Sequence, residues 1–284
     1  MPDQGLPAQQ ILPDIPFYPQ DVYQCGPAAL AMALAWSGLD ISPAELRPEV
    51  YTPSQKGSTQ PAMMSATRRH GRIAYIISSP EELIREIAYG HPVIVLQNLG
   101  LSWYPVWHYA VAIGYDLETG SMLLHSGEEP EKQVSLKVFN HTWSRSDFWG
   151  LMTLPPKQIP ASATENAYVE AVLGLEKAQQ WQAAIEGYHT ALERWPGSLS
   201  AGIGLGNAYY AAGDLSSAEG AFREAARNSP ESGAAFNNLA QVLWEQGKVS
   251  EALGAARTAV RLGGAMIHVY QKTLNDIEAD VNNN

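Results

Sequence analysis

A 34-residue period runs through the second half of this 284-residue chain and constrains its fold more than any other sequence feature. The residues that keep the spacing are Ala184, Ala218 and Ala252; Ala191, Ala225 and Ala259; Pro196 and Pro230; Gly213 and Gly247. Small residues at fixed positions let two antiparallel helices approach closely, while aromatic residues such as Tyr209 and Phe222 fill the space between neighbouring pairs. The period therefore predicts an array of stacked helical pairs.

This pattern resembles the tetratricopeptide repeat. We predict three units at residues 165–198, 199–232 and 233–266, followed by a capping helix in the segment MIHVYQKTLNDIEADV. Val172 stands where a small residue is expected, and Gly264 replaces a proline, as is typical of terminal repeats that meet solvent. The resemblance implies a concave groove that holds a peptide or a partner protein.

The first half of the chain has a different secondary-structure pattern, and a proline cluster, TLPPKQIPASATE, separates it from the second half. Short β-rich runs alternate with helices before this cluster, and only helical patterns follow it. We predict a tether at residues 1–11, an α+β domain at 12–156, a linker at 157–164 and an all-α domain at 165–284.

Composition excludes several kinds of partner and cofactor. The net charge of −11 is shared almost evenly by the two halves, so neither has the basic stripe that nucleic acid requires. No apolar run approaches the length of a transmembrane segment. The single cysteine excludes an internal disulfide and a multi-thiolate metal site. Without a Gly-rich phosphate loop or metal-ligand spacing, we expect no cofactor and no metal.

The only cysteine lies in the stretch FYPQDVYQCGPAALAMALAW. Residues 27–36 are almost entirely apolar, which predicts a helix buried on most sides, and Pro27 suits its first turn. Cys25 would then begin the helix, where the macrodipole and free N–H groups lower the pKa of a thiol. A lone cysteine is also commonly a buried structural residue, so this position by itself leaves both roles open.

A histidine follows at the start of a predicted strand. The segment 93–97 reads as one strand and His108–Tyr115 as another, with a hairpin loop at 116–120. A strand gives an imidazole a rigid support, and an imidazole is the natural base for a cysteine nucleophile. The sequence therefore pairs Cys25 with His108 as candidate catalytic residues.

Four blocks in this order, Q-x4-CGPAAL, GSTQPAMMSATRRHG, GHPVIVL and WHYAVAIGYD, resemble the papain-like bacterial cysteine peptidases typified by the bacteriocin-leader, or double-glycine, processing family. The resemblance covers residues 12–152 and implies a papain-like α+β fold that acts on a peptide or protein. By this resemblance Cys25 is the nucleophile and His108 the general base. Gln20 and the backbone N–H of Cys25 would hold the oxyanion.

The chain departs from the family in two places. The aspartate that usually orients the histidine is replaced at the corresponding position by His125 or Ser126, and we take His125 as the orienting residue. Gln20 lies five residues before the thiol, where the family more often has six.

These departures leave two functions open. One is a cysteine peptidase whose repeats recruit a protein substrate. The other is an inactive papain-like domain that acts with the repeats as a peptide-binding adaptor. Transfer of the acyl group to an amine instead of water would use the same residues and also stays open.

Two tryptophans, Trp103 and Trp107, come shortly before His108. They suit either a hydrophobic wall for a substrate side chain or a place in the core, and we assign them to substrate binding.

The resemblance also implies a bacterial protein. The opening MPDQGLPAQQILPD has no positively charged segment followed by an apolar core, so we expect no signal peptide as written. The expected location is the cytoplasm, or the periplasm with a possible membrane tether if an export signal has been removed.

Overall fold

The computed structural model describes residues 5–19 and 24–283, and the chain divides into two compact units, Met1–Gln179 and Gln180–Asn284. The strands of the first unit are β1 Gln9–Ile11, β2 Tyr51–Thr52, β3 Gly57–Ser58, β4 Ile73–Ile77, β5 Val93–Asn98, β6 Trp107–Asp116, β7 Ser121–Ser126, β8 Glu129–Ser135 and β9 Gly150–Leu154. Its helices are α1 Cys25–Trp36, α2 Pro43–Val50, α3 Gln60–Arg69, α4 Pro80–Ala88, α5 Leu136–Trp143 and α6 Glu165–Lys177. The helices of the second unit are α7 Trp181–Arg194, α8 Leu199–Ala211, α9 Leu215–Asn228, α10 Gly233–Glu245, α11 Val249–Leu262 and α12 Ile267–Asn283. Within the described residues, no helix combines the length and apolar character needed to traverse a bilayer.

The first unit is built on a seven-stranded antiparallel sheet, in which six strands have the order β4-β9-β5-β6-β7-β8 and the seventh, β1, also pairs with β6. The two predicted strands lie within β5 and β6, and the predicted loop joins β6 to β7. Asp116 stabilises this loop because its Oδ1 accepts the N–H groups of Glu118 and Thr119 at 2.8 and 3.0 Å. The predicted α+β class of this region, followed by an all-helical region, is confirmed.

The predicted tether is wrong for its last residues, because β1 belongs to the sheet. β5 pairs with β6 only as far as Ala112, and β1 covers the same strand from Gly114 to Asp116. A Cβ on Gly114 would lie 2.8 Å from the carbonyl oxygen of Gln10, so glycine permits this close approach. The unpaired edge of β6, which periodicity in residues 1–11 does not reveal, recruits this segment.

Helix α1 is the buried centre of the first unit, as its apolar sequence predicts. Residues 26–34 are all buried, and the predicted start at Cys25 is confirmed. Gly26 is required because a Cβ there would lie 2.1 Å from Oγ of Ser58. The helix therefore packs tightly against β3 at the turn that carries the thiol.

The predicted linker is bound to the first unit and is not a free connection. The fully buried carboxylate of Glu86 accepts the backbone N–H groups of Ala161 and Ser162 at 3.1 and 2.7 Å, and it contacts Nδ1 of His91 at 2.7 Å. Although burial acts to raise the pKa of Glu86, the hydrogen bonds from His91 and Ser162 bring it below its ordinary value. A distant carboxylate thus anchors a stretch whose proline content alone suggests a linker.

The second unit is all-helical, and its small residues make room for aromatic rings. A Cβ on Gly204 would lie 2.3 Å from the ring of Tyr188, and one on Gly206 would lie 2.4 Å from the ring of Phe222. Leu274 and Ile277 of α12 complete the core cluster that contains Phe222. The last helix therefore covers the apolar side of the array, as a capping helix should.

We predict that Gly206→Ala destabilises the chain by about 1–3 kcal/mol, because the added methyl group would overlap the buried ring of Phe222. Denaturant unfolding followed by circular dichroism measures this change. Gly220→Ala in helix α9 is the matched control, since nothing lies within 4 Å of its added Cβ. Helix propensity should make that variant equally stable or more stable by up to about 1 kcal/mol. Equal effects of the two substitutions would contradict the packing argument.

Candidate active site

Cys25 and His108 line the same cavity of about 1130 Å³ in the first unit. Cys25 comes from the start of α1 and His108 from the start of β6. The sheet brings them together because α1 packs across β6. A cavity of this size is large enough for several residues of a polypeptide.

The thiol of Cys25 is partly exposed, and its surroundings favour the neutral form. Burial raises the pKa of Cys25, while hydrogen bonds from the backbone of Tyr109, Gly26 and Cys25 itself act in the opposite direction without cancelling it. The lowered pKa predicted from the helix N-terminus is therefore wrong in direction. The same burial that forms the helix removes water from the sulfur, and desolvation disfavours a thiolate.

The imidazole of His108 is held at the edge of the cavity by the sheet. His108 is paired with Gln97 on β5, and its Nε2 lies 2.9 Å from Oγ of Ser126 at the end of β7. Burial lowers the pKa of His108, and the positive charge of Lys132 lowers it further. Both effects keep the imidazole neutral near pH 7, which is the state that accepts a proton.

His125 does not hold the orienting position predicted for it. Its Nε2 contacts the carbonyl oxygen of Ile15 at 3.1 Å, and its Nδ1 accepts the N–H of Glu131 at 3.1 Å. Both ring nitrogens are thus engaged away from His108. The alternation of side chains along β7 sends neighbouring residues to opposite faces, so Ser126 faces His108.

Aromatic residues form part of the cavity wall. Trp107 lines it and is half exposed, whereas Trp103 is 80% exposed and is not one of the lining residues. Tyr104, which the sequence reasoning did not single out, also lines the cavity, and so does Trp149. The nearest sequence signal for Tyr104 is its position in the aromatic run before His108.

Tyr109 closes the inner wall of the cavity. Its hydroxyl donates to the carbonyl oxygen of Ser58 at 3.2 Å, which connects β6 to β3 beside Gly26. Burial raises the pKa of Tyr109, and the nearby thiol adds to this effect. The sequence reasoning missed this residue, although it directly follows His108.

The remaining predicted site residue, Gln20, lies outside the described residues. Gln24, which precedes the thiol, makes no side-chain capping hydrogen bond to α1. In the described part of the chain, no group of three or more His, Cys, Asp or Glu side chains could hold a metal ion.

Two family models match separate parts of the chain. Residues 12–149 match the family described as Peptidase_C39 like family. Residues 169–232 and 203–266 match the tetratricopeptide repeat. No curated protein matches the chain.

Solved structures of low sequence identity also match. A putative C39-like peptidase from Bacillus anthracis is 19% identical, and the match covers 50% of this chain and 96% of that chain with a TM-score of 0.43. The type III secretion translocator chaperone SycD from Yersinia enterocolitica is 15% identical, with 44% of this chain and 90% of that chain covered and a TM-score of 0.40. The chain thus carries a Peptidase_C39-like domain at residues 12–149, followed by tetratricopeptide repeats at residues 169–266.

Proposed function

We propose that the first domain hydrolyses peptide bonds, with Cys25 as nucleophile and His108 as general base. The observation that carries this proposal is the position of the two side chains on one cavity, although they are far apart in the sequence. The cavity also has aromatic walls and a few polar groups, which suits a polypeptide substrate. The domain's likeness to the peptidase family supports the same reaction class.

The first chemical step begins from a neutral thiol and a neutral imidazole. As Sγ of Cys25 attacks the carbonyl carbon, its proton passes to Nδ1 of His108, because Nε2 is engaged by Ser126. The carbonyl oxygen gains the negative charge. The backbone N–H of Cys25 at the start of α1 would donate to it, with the amide of Gln20 as a second donor. One such donor typically stabilises the transition state by about 3 kcal/mol.

The second half of the reaction restores the site. The C–N bond breaks while His108 returns its proton to the leaving amine, and a thioester with Cys25 remains. Water then attacks this thioester after giving a proton to His108, the C–S bond breaks, and the sulfur takes the proton back. The net change is hydrolysis of one peptide bond with no cofactor.

We propose that the repeats recruit a protein substrate or partner through polar side chains on α8 and α10. Asn238 donates to Asn207 at 3.4 Å, while Tyr210 and Gln241 both donate to Glu245, at 2.5 and 2.8 Å. Side-chain amides offer donors and acceptors together, which matches the backbone of an extended peptide.

A non-catalytic adaptor is the second candidate function. The raised pKa of Cys25 and the neutral hydroxyl beside His108 favour it, because a resting thiolate and a charged orienting group are both missing from the described site. In this function the cavity binds a peptide without cutting it.

Replacing either catalytic residue is expected to abolish cleavage. Cys25→Ala and His108→Ala should each lower kcat/KM by at least about 1000-fold, because the nucleophile and its base act as a unit. Mass spectrometry of a peptide mixture incubated with the full chain detects the new termini. His268→Ala, an exposed histidine on α12, is the matched control and should cleave normally.

Labelled water distinguishes the possible outcomes of this experiment. In H₂¹⁸O, hydrolysis places ¹⁸O in each new carboxyl group, whereas transfer to an added amine does not. Peptides that bind the unmodified chain and the Cys25→Ala variant equally, with no new termini, would support the adaptor and overturn the peptidase.

The pH dependence should reflect a neutral thiol–imidazole pair. Because burial raises the pKa of Cys25, alkylation by iodoacetamide should rise with a midpoint above that of free cysteine, about 8.5. Because burial lowers the pKa of His108, the acidic limb of kcat/KM should lie below about 6.5. Glutathione serves as the reference thiol. An alkylation midpoint at or below the glutathione value would indicate a resting thiolate instead.

Disrupting the amide pair on the repeats should affect large substrates only. The double variant Asn207→Ala/Asn238→Ala should lower kcat/KM about tenfold for a protein substrate and leave it unchanged for a short peptide cut at the same bond. The matched control is Gln271→Ala/Asn275→Ala, which removes an exposed amide pair from α12. Equal losses for protein and short peptide would contradict recruitment by this surface.

A further inference from the structure

The residue on the far side of the His108 ring is a serine, where a carboxylate would be expected for an activated imidazole. Oγ of Ser126 lies 2.9 Å from Nε2 of His108, and Ser126 is only 9% exposed. His108 lines the cavity, whereas Ser126 is not one of the described lining residues. The side chain of Ser126 is therefore not part of the described cavity wall, although it contacts a ring that is.

The strand geometry explains why this contact forms. The pairing of β7 with β8 shifts register between Leu124 and Ser126, and the strand ends at Ser126. The neighbouring His125 is turned to the opposite face, where Ile15 and Glu131 occupy its ring nitrogens. Alternation of side chains along β7 thus places Ser126 on the face where it contacts the His108 ring.

The charges around His108 do not replace a carboxylate. Lys132 on β8 is the charged group whose field reaches the ring, and it is cationic. Lys132 is itself paired with Glu129 at 2.9 Å. Among the described residues, no carboxylate hydrogen-bonds to either ring nitrogen of His108, so Ser126 is the side chain that holds this ring.

We propose that Ser126 is the positioning residue of His108: its Oγ accepts the Nε2–H bond and thereby keeps the lone pair of Nδ1 available to the thiol of Cys25. This inference rests on the proposed peptidase function for its catalytic consequence. During attack, Nδ1 takes the thiol proton and Nε2 keeps its own, still donated to Oγ. The hydroxyl orients the ring in both protonation states without supplying a negative charge.

Ser126 would therefore orient the His108 ring but would not stabilise the positive charge of its imidazolium form. A carboxylate in place of the hydroxyl would make a charge-assisted hydrogen bond to the imidazolium and favour it. Ser126→Asp is therefore expected to raise the pKa of His108, while Ser126→Ala leaves Nε2 without its partner.

Nitrogen NMR of the His108 ring tests the positioning role directly. The spectra are recorded on the full-length chain with the substitution Cys25→Ala. Without the thiol, no hydrogen bond from Cys25 to Nδ1 can influence which ring nitrogen carries the proton. The ¹⁵N shifts of the neutral ring should report the Nε2–H form. Adding Ser126→Ala should give a mixture of the two neutral tautomers, one protonated at Nε2 and the other at Nδ1. Adding Ser126→Asp should keep the proton at Nε2 and raise the pKa of the ring.

The matched control is Ser121→Ala, which removes another buried hydroxyl from β7. It should leave the ring shifts unchanged. With Cys25 present, Ser126→Ala should lower kcat about 10- to 100-fold, by analogy with the loss seen when the hydrogen-bond partner of a metal-bound imidazole is removed. Ser121→Ala should leave kcat unchanged, and thermal unfolding confirms that each variant is folded.

Two results would overturn the inference: ring shifts that Ser126→Ala leaves unaltered, or ring shifts that Ser121→Ala alters equally. Failure of the peptidase proposal is separable from both. If no variant, including the unmodified chain, cleaves peptides, hydrolysis is excluded, and the ring shifts alone still support or overturn the role of Ser126.

Discussion

The packing of α1 across β6 is the contact on which the rest of the site depends. It sets the first turn of a largely buried helix against the backbone of Tyr109, which hydrogen-bonds to the sulfur of Cys25. Gly26 lets the same turn pack against β3, because any side chain there would overlap Ser58. Close packing in the domain core therefore fixes the position of the thiol.

The same burial determines the electrostatics of the site. Removing water from Cys25 and His108 favours the uncharged form of each, because a thiolate and an imidazolium both lose solvation. A neutral pair is chemically usable only if the imidazole presents an unprotonated nitrogen to the thiol. In the role we propose for Ser126, its contact with Nε2 at the end of β7 leaves Nδ1 for that purpose.

The two halves of the chain are stabilised by different means. In the first unit, contacts distant in sequence dominate: Glu86 holds the segment at 161–162, and β1 covers an edge of β6. In the second, stability comes from neighbouring helices whose glycines admit the rings of Tyr188 and Phe222. The contacts of the second unit recur with the sequence repeat and can therefore be predicted from the sequence. The long-range contacts of the first unit cannot.

The sequence by itself determined the helical array, the α+β class of the first half, the start of α1 at Cys25 and the strand that carries His108. Each of these is local, since a 34-residue period, an apolar run and a strand pattern depend on neighbouring residues. The tertiary structure decided what depends on distant contacts. It bound the last residues of the predicted tether to the sheet and the predicted linker to Glu86. It also reversed the expected direction of the Cys25 pKa, and it placed Ser126, not His125, in contact with His108. Burial and strand register decide these outcomes, and both are set by residues far away along the chain.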